Sequence, residues 1–192
     1  MIYHINGDLV EVTPALAVVE CAGVGYLIHT TLNTFIAISN AKKVKLYIHP
    51  IYKEDSQVLF GFHDKSEREI FTQLISVSGV GGNTARVILS SLSTEEVVEA
   101  ISHENVTLLK SIKGIGAKTA ERIIVDLKDK VSGIAVSSST SGVVSSAKSE
   151  ASSALEVLGY APRQTEKIIL QITKEHPDAG VEDIIKQALK RL

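Results

Sequence analysis

Over residues 1 to about 63 apolar and polar positions alternate, and β-branched residues gather at 16–21, 26–31, 44–52 and 57–62. Period-two alternation of that length predicts strands. Ala22-Gly23-Val24-Gly25 joins two of them as a glycine-rich hairpin. With no long helix between the strands, the pattern points to a small barrel of the OB type. From Asp64 the period lengthens. Ile70, Phe71, Leu74 and Ile75 make a helical stripe ending at Ser78-Gly79, and a second helix covers 84–91. Ser93-Thr94-Glu95-Glu96 has the form of a capping box opening a third, and helices at 105–112 and 118–131 complete an all-helical domain over 64–131.

Residues 132–149 are Ser, Gly, Val and Ala with almost no charge, which is linker composition. From 150 to 192 three short helices are expected: 151–158, one that starts near Pro162 and runs to Glu175, and 181–192, with stops at Gly159-Tyr160 and His176-Pro177. Their apolar set is Leu155, Leu158, Ile168, Ile169, Ile172, Ile184, Ile185 and Leu189. A core that small is marginal alone, so the tail reads as a domain built to dock on something.

The helical domain contains a repeat. Ser78-Gly79-Val80-Gly81-Gly82-Asn83-Thr84-Ala85 returns 35 positions later as Lys113-Gly114-Ile115-Gly116-Ala117-Lys118-Thr119-Ala120, with Thr72/Thr107, Leu74/Leu109 and Ile88/Ile123 matching around it. Each copy reads as helix, Gly-x-Gly turn, helix: a helix-hairpin-helix. The glycines admit positive φ and remove the Cβ that would block close approach, so backbone N–H groups at the next helix start can meet a phosphate. The helix dipole adds partial positive charge there. Candidate DNA-contacting residues are Gly79, Val80, Gly81, Gly82, Asn83, Thr84 and Arg86 in the first unit, and Gly114, Ile115, Gly116, Ala117, Lys118, Thr119 and Arg122 in the second. One such turn alone would be read as a tight connection; two in equivalent register favour phosphate binding. No base edge need be read, so binding is expected to ignore sequence.

Charge narrows this further. The net charge of −2 argues against coating nucleic acid by bulk electrostatics, so any DNA contact must be local. Residues 110–130 hold six cations (Lys110, Lys113, Lys118, Arg122, Lys128, Lys130) against three acids, whereas residues 1–64 hold four lysines against six acids. Two of those acids, Glu54 and Asp55, sit on a polar turn between the last two strands, where a solvated hairpin tip is the ordinary reading. A catalytic pair is disfavoured, because neighbouring turn residues diverge and no metal ligand stands near them in sequence.

Other chemistries drop out. G-x-x-x-x-G-K-[ST] is absent, so ATP hydrolysis is not expected, and the chain is read as no enzyme on its own. His4, His29, His49, His63, His103 and His176 lack metal spacing, and the single Cys21 reads as an inert strand thiol, so neither metal nor cofactor is expected. Tyr26, Tyr47, Phe60 and Phe62 fall at strand spacings that suit a barrel core. No apolar run is long enough for a membrane span and the first residues do not form a signal segment, so a cytoplasmic protein is expected. A nuclease or glycosylase, which also use such hairpins, is the alternative reading; neither a metal-carboxylate cluster nor a base-flipping pocket is legible.

The order of parts carries a resemblance. Lys53-Glu54-Asp55-Ser56-Gln57-Val58-Leu59-Phe60-Gly61-Phe62, then Gly114-Ile115-Gly116-Ala117-Lys118-Thr119-Ala120-Glu121-Arg122, then Ala154-Leu155-Glu156-Val157-Leu158-Gly159-Tyr160 resemble, across residues 1–192, the RuvA family of bacterial Holliday-junction-binding proteins. The resemblance implies an α+β multidomain chain: an OB-fold barrel at 1–63 that forms the tetramer, tandem hairpins at 64–131, the linker at 132–149, and a three-helix, UBA-like domain at 150–192. It implies a homotetramer holding a four-way DNA junction open for branch migration in recombination and repair, with one or two tetramers per junction left open. Glu54 and Asp55 would be an acidic pin at the crossover, repelling continuous duplex. The tail, through Leu155, Leu158, Gly159 and Tyr160, would contact the hexameric ATPase RuvB, and a RuvC-type resolvase is a further implied partner. Relatives often carry Pro-Lys and Lys-Lys where this chain has Gly82-Asn83 and Ala117-Lys118, so the first hairpin is expected to rely on backbone N–H groups and Arg86.

Overall fold

The computed structural model describes residues 1–131, 147–148, 151–152, 154–155, 160–176 and 179–191. The chain divides into two units, Met1–Ser138 and Ser139–Leu192. Most of the expected linker, 132–146 and 149, lies outside the described residues, as do Leu158 and Gly159.

Five strands, β1 (His4–Thr13), β2 (Leu16–Cys21), β3 (Val24–His29), β4 (Lys43–Tyr52) and β5 (Gln57–Phe62), close into a barrel in the order β1-β2-β3-β5-β4. Only the β3–β5 pair among these is parallel. This is the expected OB arrangement. Alternate residues Ile5, Ala17, Val19, Ile28, Leu46 and Ile48 fill it, as period-two patterning requires. The β2–β3 turn has Ala22 at φ 50° and Gly23 at φ 83°, the two left-handed residues of a type I′ hairpin. β3 therefore starts at Val24, two residues before the alternation at 26–31 suggests. It also ends earlier, because Thr31 leaves the sheet to cap a short helix that the strand pattern concealed, α1 (Leu32–Ile38), accepting the Thr34 N–H at 3.0 Å.

Helices α2 (Lys65–Ser76), α3 (Gly82–Ser91), α4 (Thr94–Ser102), α5 (Val106–Ser111) and α6 (Ala117–Val131) follow. The capping box at Ser93 is formed reciprocally: Ser93 Oγ accepts the Glu96 N–H and Glu96 Oε2 accepts the Ser93 N–H. Their shared core pairs the repeats residue by residue, with Leu74 and Leu109, Ala85 and Ala120, Ile88 and Ile123 all buried.

Phe60 and Phe62 correct the sequence reading. They point outward from β5, into the helical core, where their rings lie 4.9 Å and 4.8 Å from that of Phe71. Tyr47 is also outside the barrel core, on the outer face, under the charged groups of Lys45, Lys65 and Arg68. Only Tyr26 of the four aromatics packs against the barrel interior. The barrel and helical domain are thus joined through a common aromatic layer.

A buried carboxylate reinforces that joint. Glu67, in the first turn of α2, is 4% exposed and accepts the hydroxyls of Thr31 (2.5 Å) and Thr34 (2.7 Å) at the start of α1. Both hydroxyls in turn accept backbone N–H groups, from Thr34 and His63, so their protons are committed to Glu67. Burial pushes the Glu67 carboxyl above the usual range, against the opposing pull of the two threonine hydrogen bonds.

In the tail, α7 (Pro162–Glu175) and α8 (Val181–Arg191) enclose Leu155, Ile169, Ile172, Ile184 and Ala188 with Ala151. Leu189, expected in this core, is 42% exposed, and Leu170 is 44% exposed.

Because the folded carboxyl of Glu67 holds its proton to higher pH than the unfolded one, the wild type loses stability as pH rises through the folded value. Glu67→Gln lacks that titration. Its stability relative to wild type should therefore increase from acid to neutral pH, as measured by urea denaturation at several pH values. Glu67→Ala, which leaves two buried hydroxyls unpaired, should cost about 2 kcal/mol or more at any pH.

Candidate nucleic-acid interface

The two Gly-x-Gly turns are built alike. Val80 N–H donates to Val77 O at 3.0 Å and Ile115 N–H to Ile112 O at 3.1 Å. Gly79 (φ 93°) and Gly114 (φ 91°) occupy the third position of each turn. Positive φ there is the type II requirement, which a side chain would strain. Val80 and Ile115 are each 5% exposed in the helical core. With side chain buried and N–H engaged, these two hold the turns in place. The groups free to face a ligand come after them.

Gly81 is the N-cap of α3, with extended φ −89° and ψ 172°, and no side chain caps that helix. A Cβ on Gly81, or on Gly116 before α6, would meet nothing within 4 Å. Both helix starts therefore open onto free space with bare backbone, and each carries the partial positive charge of a helix N-terminus. Asn83, Ala117 and Lys118 are exposed there, with Thr84 and Thr119 half-buried behind them.

Gly82 has a different reason to lack a side chain. A Cβ there would fall 2.7 Å from the Phe60 ring and 2.9 Å from Ile51 Cδ1. The first hairpin is seated directly on β4 and β5. At the equivalent position of the second hairpin Ala117 is exposed, so a Cβ is tolerated.

The arginines are committed within the protein. Arg86 Nη1 donates to Ala15 O at 3.0 Å, fastening α3 to the β1–β2 turn. Arg122 Nη1 donates to Ser78 O at 3.1 Å, bridging the second hairpin's helix to the first hairpin's turn. Sequence alone missed both, since each bond spans a long chain separation. Lys110, Lys113 and Lys118 remain exposed around the second hairpin.

Glu54 and Asp55 are exposed at the tip of the β4–β5 turn, which is closed by Lys53 N–H to Ser56 O at 2.8 Å and by Ser56 Oγ to Asp55 Oδ1 at 3.2 Å. The strands carrying this acidic tip are those that Gly82 touches through Ile51 and Phe60. Acidic turn and first hairpin thus form one rigid piece. Among the described residues no group of three or more His, Cys, Asp or Glu is placed to hold a metal ion, and no helix is long and apolar enough to cross a membrane. In the tail, Leu155 is fully buried and Tyr160 half-buried, its N–H donating to Leu155 O at 3.1 Å. Among the described residues of that unit, the exposed large apolar side chains are Leu170 and Leu189.

Family comparisons agree part by part. Residues 1–61 match the RuvA N-terminal domain, 71–129 the SAM-like helix-hairpin-helix tandem, and 146–192 the RuvA C-terminal domain. The chain is 53% identical over 201 aligned positions to a Bacteroides thetaiotaomicron protein named Holliday junction branch migration complex subunit RuvA, each chain covered in full. The chain belongs to the RuvA family. RuvA proteins of Christiangramia forsetii (53% over 198 positions) and Porphyromonas gingivalis (41% over 203) also align over the full length of both chains. Within that RuvA framework, Gly82 of this chain is packed against the barrel through Phe60 and Ile51.

Gly81→Ser tests the bare helix start. A serine N-cap should raise stability by a few tenths of a kcal/mol while weakening DNA binding roughly ten-fold, because its hydroxyl takes the N–H groups offered to phosphate. Thermal melting and gel-shift titration should move in opposite directions.

Proposed function

We propose that this chain is the junction-recognising subunit of a branch-migration complex: a DNA-binding protein, without catalysis of its own, that grips four-way junctions through backbone phosphates. The observation that carries the reading is the pair of uncapped helix N-termini, built alike and fixed to one another by Arg122. Each offers amide donors and half a helix dipole, which suits a phosphate and ignores the base beside it. The two anchors would grip the backbone of one duplex arm.

Selectivity for junctions is the work of Glu54 and Asp55. Held on the same rigid piece as the first hairpin, their carboxylates would repel a phosphate backbone running continuously past it. At a crossover the strands part, and the repulsion is relieved. Four copies around one junction would place four acidic tips at its centre, in keeping with the homotetramer that the resemblance implies. We assign the tail, through exposed Leu170 and Leu189, to docking on the RuvB ATPase.

Gel-shift titrations should show tighter binding to a four-way junction than to linear duplex at matched salt; equal affinity would overturn the reading. Glu54→Gln with Asp55→Asn should tighten duplex binding and so narrow the difference. Lys118→Ala should weaken binding to all sequences alike and lower the slope of log K against log salt by about one. Light scattering with and without junction DNA would count the subunits.

A further inference from the structure

Between the first hairpin and the barrel lies a cleft of about 630 Å³, within the size range of sites that hold small organic ligands. Its walls are mainly apolar and aromatic, from His29 on β3, Phe60 on β5, His49 and Ile51 on β4, and Ile75 on α2. Strand register sets three of these in a row: Phe60 is paired with His29 on one side and His49 on the other. The His29 ring lies 5.6 Å from that of Phe60. Burial, with Arg86 nearby, holds His29 below the usual imidazole range, and burial with Arg68 does the same for His49. Both rings are therefore neutral flat surfaces near pH 7, and His29 Nδ1 is buried with no hydrogen-bond partner.

The rim is what identifies the occupant. One lip is Val80, Gly81, Gly82 and Asn83, the turn and helix start assigned above to phosphate. The other includes Lys53, in the turn that carries Glu54 and Asp55, and Val58 on β5. A nucleotide whose phosphate rests on the first lip has the cleft within reach of its base. In intact duplex that base is stacked and paired, pointing away from its own backbone. Only where pairing is broken can it turn outward, and the acidic tip beside the cleft is the device that disfavours continuous duplex. An apolar slot with aromatic walls, a cation at its rim and a phosphate site at its mouth is the chemistry that receives an extruded base.

We propose that this cleft receives one unpaired nucleobase from the strand whose phosphate lies on the first hairpin. The inference rests on the phosphate reading of that hairpin and adds to it a site for strands separated at the crossover. Occupancy would trap the unpaired state without reading its sequence, since apolar walls accept any base.

The test uses the full-length chain and a four-way junction carrying mismatched thymines at the crossover, probed by permanganate, which oxidises exposed unpaired thymine. In the wild-type complex one thymine per bound subunit should be protected roughly ten-fold relative to free junction. Val58→Phe and Ile75→Phe, which fill the cleft from opposite walls, should each restore reactivity while leaving duplex affinity unchanged. If crossover thymines in the wild-type complex react as in free junction although the junction is bound, the base site is wrong and the phosphate reading stands. Protection that survives both substitutions likewise overturns the cleft. If the wild type does not prefer junctions at all, the underlying reading fails first. Should one variant not fold, the other and the wild-type footprint still decide the matter.

Discussion

The close approach of Gly82 to Phe60 and Ile51 is the contact on which the DNA-facing geometry depends. It brings a helix N-terminus against the two strands that carry the acidic turn, with no side chain between them. Phe60 then continues inward to Phe71, and α2 returns to the barrel through the Glu67 carboxylate and its two threonine hydroxyls. Barrel and helical domain are therefore locked at two points, one apolar and one polar. A rotation between them would have to open a packed aromatic layer or strand a buried carboxylate, and each is costly. The first hairpin, proposed to attract phosphate, and the acidic turn, proposed to repel it, are thus carried on the same joined pair of domains.

The repeat shows how one unit diverges under different neighbours. Both copies keep the positive-φ glycine that the turn demands and a glycine with free space around it at the helix start. They part at the next residue. Gly82 faces the barrel, where a Cβ would press on the Phe60 ring and Ile51 as they stand, while Ala117 faces solvent. Charge divides the same way. Exposed lysines surround the second hairpin, whereas the first gives its arginine to Ala15 O and relies on its amides. Lys53 is the one cation within the acidic turn itself, next to Glu54 and Asp55, so the cations of the second hairpin and the acids of the turn lie on separate parts of the domain.

What was legible in the sequence followed from local physics. Strand alternation, the capping box at Ser93 and the doubled glycine turns each depend on residues a few positions apart, and each is found in the structure. α1 was hidden because seven residues after a strand give too little period to recognise. Phe60 and Phe62 look like barrel core because alternation says that two faces differ without saying which face meets another domain. The carbonyl partners of Arg86 and Arg122 were not legible because nothing local reveals that each finds one far away in the chain. The cleft beside the first hairpin is assembled from β3, β4, β5, α2 and the turn, and no single stretch contains it.

These corrections change how binding energy is distributed. A surface that gripped DNA with four or five free cations would hold any duplex tightly and lose affinity steeply with salt. Here each hairpin's arginine makes a hydrogen bond within the protein, two helix ends supply oriented dipoles, and of the two hairpins the second has the exposed lysines around it. On the proposed reading each subunit's hold on plain duplex would be modest, which is the condition under which a small repulsive element such as Glu54 and Asp55 could decide between substrates. A tighter clamp would override it. On the proposed reading the weakness of the single clamp would be part of its selectivity, and affinity for the junction would come from several copies engaging its arms at once.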